Sequence, residues 1–184
     1  MNRRLVLIAA AAVAVVALLA WVVLDRRSPG DDDAVVAAVA TPTPAPEERI
    51  VLLFTGADGL LHPELRPVPL PAEVIERVRV IATEVLAGPG STELAPVVPW
   101  QAEVLAVFTD QRGTAFLDVT APPGELEGSH LELMLVYGLV DSVLLNCPEL
   151  KAVQLMFGGR ELPTLTGHLD LSEPLVLNKR FIAS

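Results

Sequence analysis

The longest unbroken pattern in the chain is apolar. Residues 5–24, LVLIAAAAVAVVALLAWVVL, run for twenty positions without a charge. A helix rising about 1.5 Å per residue covers the roughly 30 Å core of a bilayer in that length, so the segment predicts a membrane span. Asn2, Arg3 and Arg4 ahead of it also suit a secretory signal, but a cleavable apolar region has about 7–15 residues. The nearby A-x-A sequence, Ala38-Val39-Ala40, lies far past the apolar end. Residues 1–27 are therefore expected to form an uncleaved anchor. Arg3 and Arg4 on one side, against Asp31, Asp32 and Asp33 beyond Arg26 and Arg27, orient the N-terminus to the cytoplasm. The rest of the chain is then expected outside the cytoplasm, in a periplasm or on the outer face.

The pattern changes at residues 28–48, SPGDDDAVVAAVATPTPAPEE, where small residues, acids and alternating prolines have little to bury. An extended, partly polyproline-II linker is expected there. From residue 49 onward the apolar positions regain a period. IVLLF at 50–54 is a continuous run suited to a strand covered on both faces. Asp58-Gly59 marks a turn, and residues 60–68 predict a returning, edge-like strand limited by Pro63 and Pro67. Val74, Ile75, Val78, Ile81, Ala82, Val85 and Leu86 recur at three and four, with Glu73, Glu76, Arg77 and Glu84 opposite them. They predict an amphipathic helix with Pro71 at its first position. Gly88 is placed to end it as a left-handed cap, and Pro89 cannot continue it.

EVLAVFTD and TAFLDV flank a turn at Asp110–Gly113 and predict an antiparallel hairpin, with Ala115, Leu117 and Val119 on one face and Asp118 on the other. Ser129 and Glu132 have the spacing of a capping box. The helix that follows, over about 131–146, is apolar around most of its circumference and is expected to lie deep, ended by Pro148. Its length, with Glu132 and Asp141 inside it, excludes a second membrane span. AVQLMF at 152–157 predicts a further strand closed by Gly158-Gly159. The segment TLTGHLDLSEPL fits no regular pattern. The order strand, hairpin return, helix, hairpin, helix, strand gives an α+β domain over residues 49–184. A small antiparallel or mixed sheet with two helices packed on one face is expected.

Charge narrows the partners. Residues 49–184 carry nine basic side chains against seventeen acidic ones. Phosphate backbones and anionic lipid surfaces repel such a domain, which excludes nucleic acid as a partner. The one cysteine, Cys147, has no internal partner for a disulfide and reads as a buried, inert thiol. No cysteine follows the apolar segment to carry a lipid anchor, and no Cys/His spacing for zinc occurs.

Candidate chemistry is sparse. His62, His130 and His168 are the three histidines, and Ser129, His168 and Asp170 could be drawn as a relay, but nothing resembling G-x-S-x-G supports a nucleophile. Glu125 and Glu127 share a loop and are the candidates for glycan chemistry, although loop spacing fixes no distance between them. Asp31, Asp32 and Asp33 lack the spaced ligands of a calcium loop. Gly88, Pro89 and Gly90 follow a helix rather than preceding one, the wrong order for a phosphate cradle. No catalytic residue, metal site or cofactor is therefore assigned. Open sheet edges are the more promising feature, since unpaired backbone groups recruit another subunit or an extended segment. Arg66, Arg112 and Arg160, expected at loop or strand ends, could lend polar specificity there.

Several stretches in this order carry a resemblance. VLLF, then an Asp-Gly turn with LHPELRPVPL, a helix ending VLAGP, the hairpin VLAVFTDQRGTAFLDV, the apolar second helix before VQLMFGGRE, and TGHLDLSEPL together resemble the GerMN domain of spore-germination GerM-type proteins. The resemblance covers residues 49 to about 178. It implies a fold similar to the ring-building motifs of secretion machines, which associate side by side. It also implies a membrane-attached envelope module without known catalysis, linked in one group to sporulation and germination. This chain shows one copy, whereas some relatives carry two. The expectation is a binding or assembly domain acting on an envelope protein or on itself through a sheet edge, with a peptidoglycan-binding or glycan-active protein as the alternative.

Overall fold

The computed structural model describes residues 47–124 and 126–184. The expected anchor at 1–27, residues 28–46 of the expected linker, and Glu125 lie outside the described residues. Among the described residues no helix is long and apolar enough to cross a membrane.

The elements are β1 (Glu47–Thr55), β2 (Leu61–Pro69), α1 (Val74–Leu86), β3 (Val104–Thr109), β4 (Thr114–Val119), α2 (Ser129–Asn146), β5 (Ala152–Phe157) and a 3₁₀ turn (Lys179–Phe181). The class is α+β. The one expected sheet is in fact two: β1 pairs with β2, and β3, β4 and β5 form a second sheet in that order. β3–β4 is antiparallel and β4–β5 parallel, so the second sheet is mixed.

β1 and β2 turn at Gly59, whose φ of 79° suits a residue without a Cβ. The Asp58 carboxylate accepts the N–H of Leu60 across this turn. β2 is not limited by its prolines but runs through them, with Leu53 opposite Pro63 and Arg49 opposite Pro67. Both prolines fall on positions whose N–H would point away from β1, so no ladder bond is lost.

Pro71 does not open α1. Glu73 flanks the helix, and the first backbone bond runs from the N–H of Arg77 to the Glu73 carbonyl, because residues 70–72 are used in turning the chain from the end of β2. The far end behaves as expected: Gly88 adopts φ 87° and donates its N–H to the Val85 carbonyl. α1 buries Val78, Ile81, Ala82 and Val85 and packs on α2, β3 and β1.

The capping box at Ser129 and Glu132 does not form. Gly128, with φ 101°, occupies the cap position and makes no side-chain cap, while Ser129 is the first helical residue. The Glu132 side chain is wholly buried and turns to the segment 164–169 instead. α2 lies deep as expected, buried from Met134 to Leu144. It carries the parallel crossover from β4 to β5, which a hairpin could not make.

Beyond β5 the chain is irregular but anchored at several points. Val153 of β5 exchanges both backbone hydrogen bonds with Leu175, and the Gln154 amide donates to the Leu171 carbonyl at 2.8 Å. Phe181 stacks on Tyr137 of α2 with ring centroids 5.1 Å apart, and the N–H of Ala183 reaches the Leu61 carbonyl of β2. The segment thus ties both sheets to the central helix.

Candidate functional site

The titratable groups singled out from the sequence do not converge. His62 pairs with Asp58 at 2.9 Å in the β1–β2 turn, both at the surface. His130 is exposed beside Gly59. His168 directs Nδ1 to the Thr166 hydroxyl at 3.0 Å, and Asp170 accepts from the N–H and hydroxyl of Ser172. Ser129, His168 and Asp170 therefore form no relay. Glu127 is exposed, and its proposed companion Glu125 lies outside the described residues. Cys147 is buried, and desolvation pushes its thiol up to about 11, in keeping with an inert thiol. Among the described residues no group of His, Cys, Asp and Glu is arranged to hold a metal.

Arg66 is not at a strand end. It sits within β2, with its guanidinium 5.8 Å from the centre of the Phe54 ring, and donates to Glu64, to Glu84 at 2.7 Å and to the Gly88 carbonyl at 3.0 Å. Glu64 in turn accepts the N–H groups of Gly90 at 2.9 Å and Ser91 at 3.1 Å. Burial opposes the charge of Glu64, but Arg66 and these N–H groups outweigh it and lower its pKa. The 88–90 loop is thus a helix stop fastened to β2 by an ion-pair network. Arg112 and Arg160 are exposed, in the β3–β4 turn and after β5.

The sheet edges separate sharply. On the outer edge of β1, Asn146 of α2 accepts the Val51 N–H at 2.9 Å and donates to the Val51 carbonyl at 2.7 Å. The Ser142 hydroxyl accepts the Leu53 N–H at 2.9 Å, and Thr55 exchanges two backbone bonds with Ala95. A helix seals this edge with its side chains, which is why β1 carries no second strand. On β2 the outward positions are Leu61, tied to Ala183, then Pro63, Leu65 and Pro67, so a single N–H stands between two prolines. On β5, Val153 exchanges both backbone bonds with Leu175, Phe157 donates to the Arg160 carbonyl, and Leu155 between them is buried.

β3 is different. Asp110 donates its N–H to Thr114, and Thr120 donates to Glu103, so the ladder alternation turns the backbone groups of Val107 and Thr109 away from β4. Among the described residues nothing pairs with them. A bulge between Val104 and Ala106 bends the strand. It leaves Leu105 50% and Phe108 60% exposed, while Val107 between them is buried. Phe116 lies directly opposite Phe108 on β4 and is half-buried. Glu103 and Arg112, both exposed, flank the strand. Beside its first residues a groove of about 370 Å³ is lined by Thr83, Leu86, Ala87, Ala102, Glu103 and Val104. Backbone donors and acceptors without a partner among the described residues thus lie beside exposed apolar side chains along this edge. The sequence carries one sign of it: VLAVF places apolar residues on both faces, more than a half-buried strand uses.

Residues 51–163 match the family model Germane, described as sporulation and spore germination. No curated protein matches. Among solved structures, the first GerMN domain of the sporulation protein GerM from Bacillus subtilis is similar with TM-score 0.54 and 18% identity, over 70% of this chain and 97% of that one. The tandem GerMN domains of the same protein give TM-score 0.53 and 17% identity, over 70% of this chain and 46% of that one, so this chain spans about half of the tandem. A Clostridium perfringens protein named as a candidate lipoprotein gives TM-score 0.51 and 15% identity, over 71% of this chain and 87% of that one. At these identities the likeness is one of fold.

Proposed function

The chain belongs to the Germane family of sporulation and spore germination proteins, and from that premise we propose that it is a membrane-anchored, extracytoplasmic domain working by protein–protein contact in the cell envelope, without catalysis or cofactor. The apolar segment 5–24 supplies the anchor, and the acidic, proline-containing linker holds the domain away from the bilayer. The likeness to a candidate lipoprotein agrees with an envelope location. The observation that carries the contact function is the β3 edge: the outer edges of β1 and β5 are covered and that of β2 is blunted by proline, while the outward backbone groups of Val107 and Thr109 on β3 have no partner among the described residues and lie beside exposed Leu105 and Phe108.

Photo-crosslinking in cells tests this. A photoreactive residue at position 108 is expected to capture a protein partner, and one at the equally exposed Leu65 on β2 is expected to capture none. Recovery of the monomer alone from position 108, or a C-terminal reporter found in the cytoplasm, would overturn the reading.

A further inference from the structure

Resting on that open-edge reading, we propose that the occupant of the β3 edge is a second copy of this chain, paired antiparallel through β3. Antiparallel pairing related by a two-fold axis requires outward-facing backbone groups to meet outward-facing ones. Val107 and Thr109 are the outward positions, and setting Val107 of one copy opposite Thr109 of the other satisfies the N–H and C=O of both, on both copies. That register places Phe108 directly across from its own counterpart. The 60% of Phe108 left in water then finds an aromatic partner, the kind of cross-strand pair that stabilises a sheet. The bulge at Val104–Ala106 keeps Leu105 on the exposed side near the same contact.

Charge selects the same arrangement. The chain carries a net charge of −10, so two copies repel unless opposite signs meet locally. Glu103 precedes β3 and Arg112 follows it, both exposed. Antiparallel pairing brings Glu103 of one copy to Arg112 of the other at each end of the contact. A parallel arrangement would set like charge against like. The result is one continuous sheet running through both copies, with β5 outermost on each side.

Disulfide trapping tests the pairing in the full-length chain held in mild detergent. Facing positions at a non-hydrogen-bonded antiparallel pair lie about 4.5 Å apart at Cα, within disulfide reach. Phe108→Cys is therefore expected to give a dominant species of twice the monomer mass under a mild oxidant. Leu65→Cys, as exposed but on the proline-flanked edge, is expected to stay monomeric, and buried Cys147 does not compete. Without cysteine substitutions, Glu103→Arg and Arg112→Glu are each expected to lower the dimer fraction by sedimentation, and the two together to restore it. No dimer from Phe108→Cys, equal trapping at position 65, or failure of the double exchange to restore association would overturn the proposal. Capture of a different protein at position 108 in cells, with no dimer in detergent, would remove self-pairing and leave the binding edge standing. Monomer alone in both experiments would remove both.

Discussion

Thr166 meets Glu132 twice: its hydroxyl donates to Oε2 at 2.7 Å and its N–H to Oε1 at 3.0 Å. The same carboxylate accepts the Thr164 hydroxyl and the N–H groups of Leu165, His168 and Leu169. Six donors from one irregular segment converge on a side chain with no exposed surface. A charge in that position is tolerable only because it is fully partnered. The segment that has no periodicity of its own is therefore organised by one residue of α2.

Glu132→Gln is expected to destabilise the domain by about 2–4 kcal/mol, since its amide nitrogen would confront donors where an oxygen now accepts. Burial opposes the charge on Glu132, but the hydroxyls of Thr166 and Thr164 and the N–H groups of Thr166 and Leu165 outweigh it and hold the pKa at about 2. The folded value lies below the ordinary 4.5, so the stabilisation is complete above pH 4.5 and is lost as pH falls toward 2. Urea unfolding at pH 7 and pH 3 should show a smaller gap between wild type and variant at pH 3. An unchanged gap would mean that the carboxylate charge contributes nothing.

Gly138 allows α2 to approach the 95–98 segment. A Cβ there would lie 2.7 Å from Cγ1 and 3.0 Å from Cβ of Val97, a stiff side chain that cannot swing aside. Alanine in place of glycine gains about 1 kcal/mol of helix propensity, whereas overpacking costs typically about 1–3 kcal/mol. Gly138→Ala is therefore expected to lower the thermal midpoint, and Val97→Ala in the same chain to recover part of the loss. Independent, additive effects of the two changes would show that they do not share this contact.

These two contacts mark where local pattern stops informing the fold. β1, α1, the β3–β4 hairpin, α2 and β5 were all legible, because each buries a face whose period appears in adjacent residues. The division into two sheets was not: β1 is closed by Asn146 and Ser142, 95 and 89 residues away, through side chains that local periodicity does not mark. Ser129 and Glu132 had the spacing of a cap, but a buried glutamate facing six donors has a stronger claim on that side chain than one backbone N–H. Arg66 was expected at a loop or strand end, because its partners at Glu84 and Gly88, 18 and 22 residues further on, leave no local mark. An open edge was expected as the working surface. Which edge is left unpaired among the described residues depends on what covers or blunts the other three, and local pattern does not carry that.

The seal on β1 predicts a change in both stability and behaviour. Asn146→Ala removes the partners of the Val51 N–H and C=O together, at a cost of about 1–3 kcal/mol for part-buried backbone groups left unpaired. It also opens a second sheet edge. Amide exchange at Val51 should accelerate more than at Ile50, whose backbone faces β2, and the variant should aggregate faster than wild type. Equal exchange rates at both amides would mean that Asn146 does not guard the edge.

Asp141 carries the opposite pH signature to Glu132. It is wholly buried in α2; its Oδ1 accepts the Asn178 N–H at 3.0 Å, and its Oδ2 has no partner among the described residues. Desolvation raises its pKa from 3.8 to about 6, against the weaker pull of the Asn178 N–H. Because the folded value is the higher one, the neutral acid is favoured in the fold. Stability from this group is present below pH 3.8 and is lost as pH rises through 6, by up to about 3 kcal/mol. Asp141→Asn keeps an oxygen for Asn178 and replaces a buried charge by a neutral amide, a smaller desolvation cost even if its nitrogen finds no acceptor. The variant is therefore expected to exceed wild type in stability at pH 8 by about 1–3 kcal/mol and to match it near pH 4, as read from urea midpoints. A variant weaker than wild type at pH 8 would show that the ionised carboxylate is satisfied in the fold. The Asn178 contact would then hold the C-terminal segment by charge as well as by geometry.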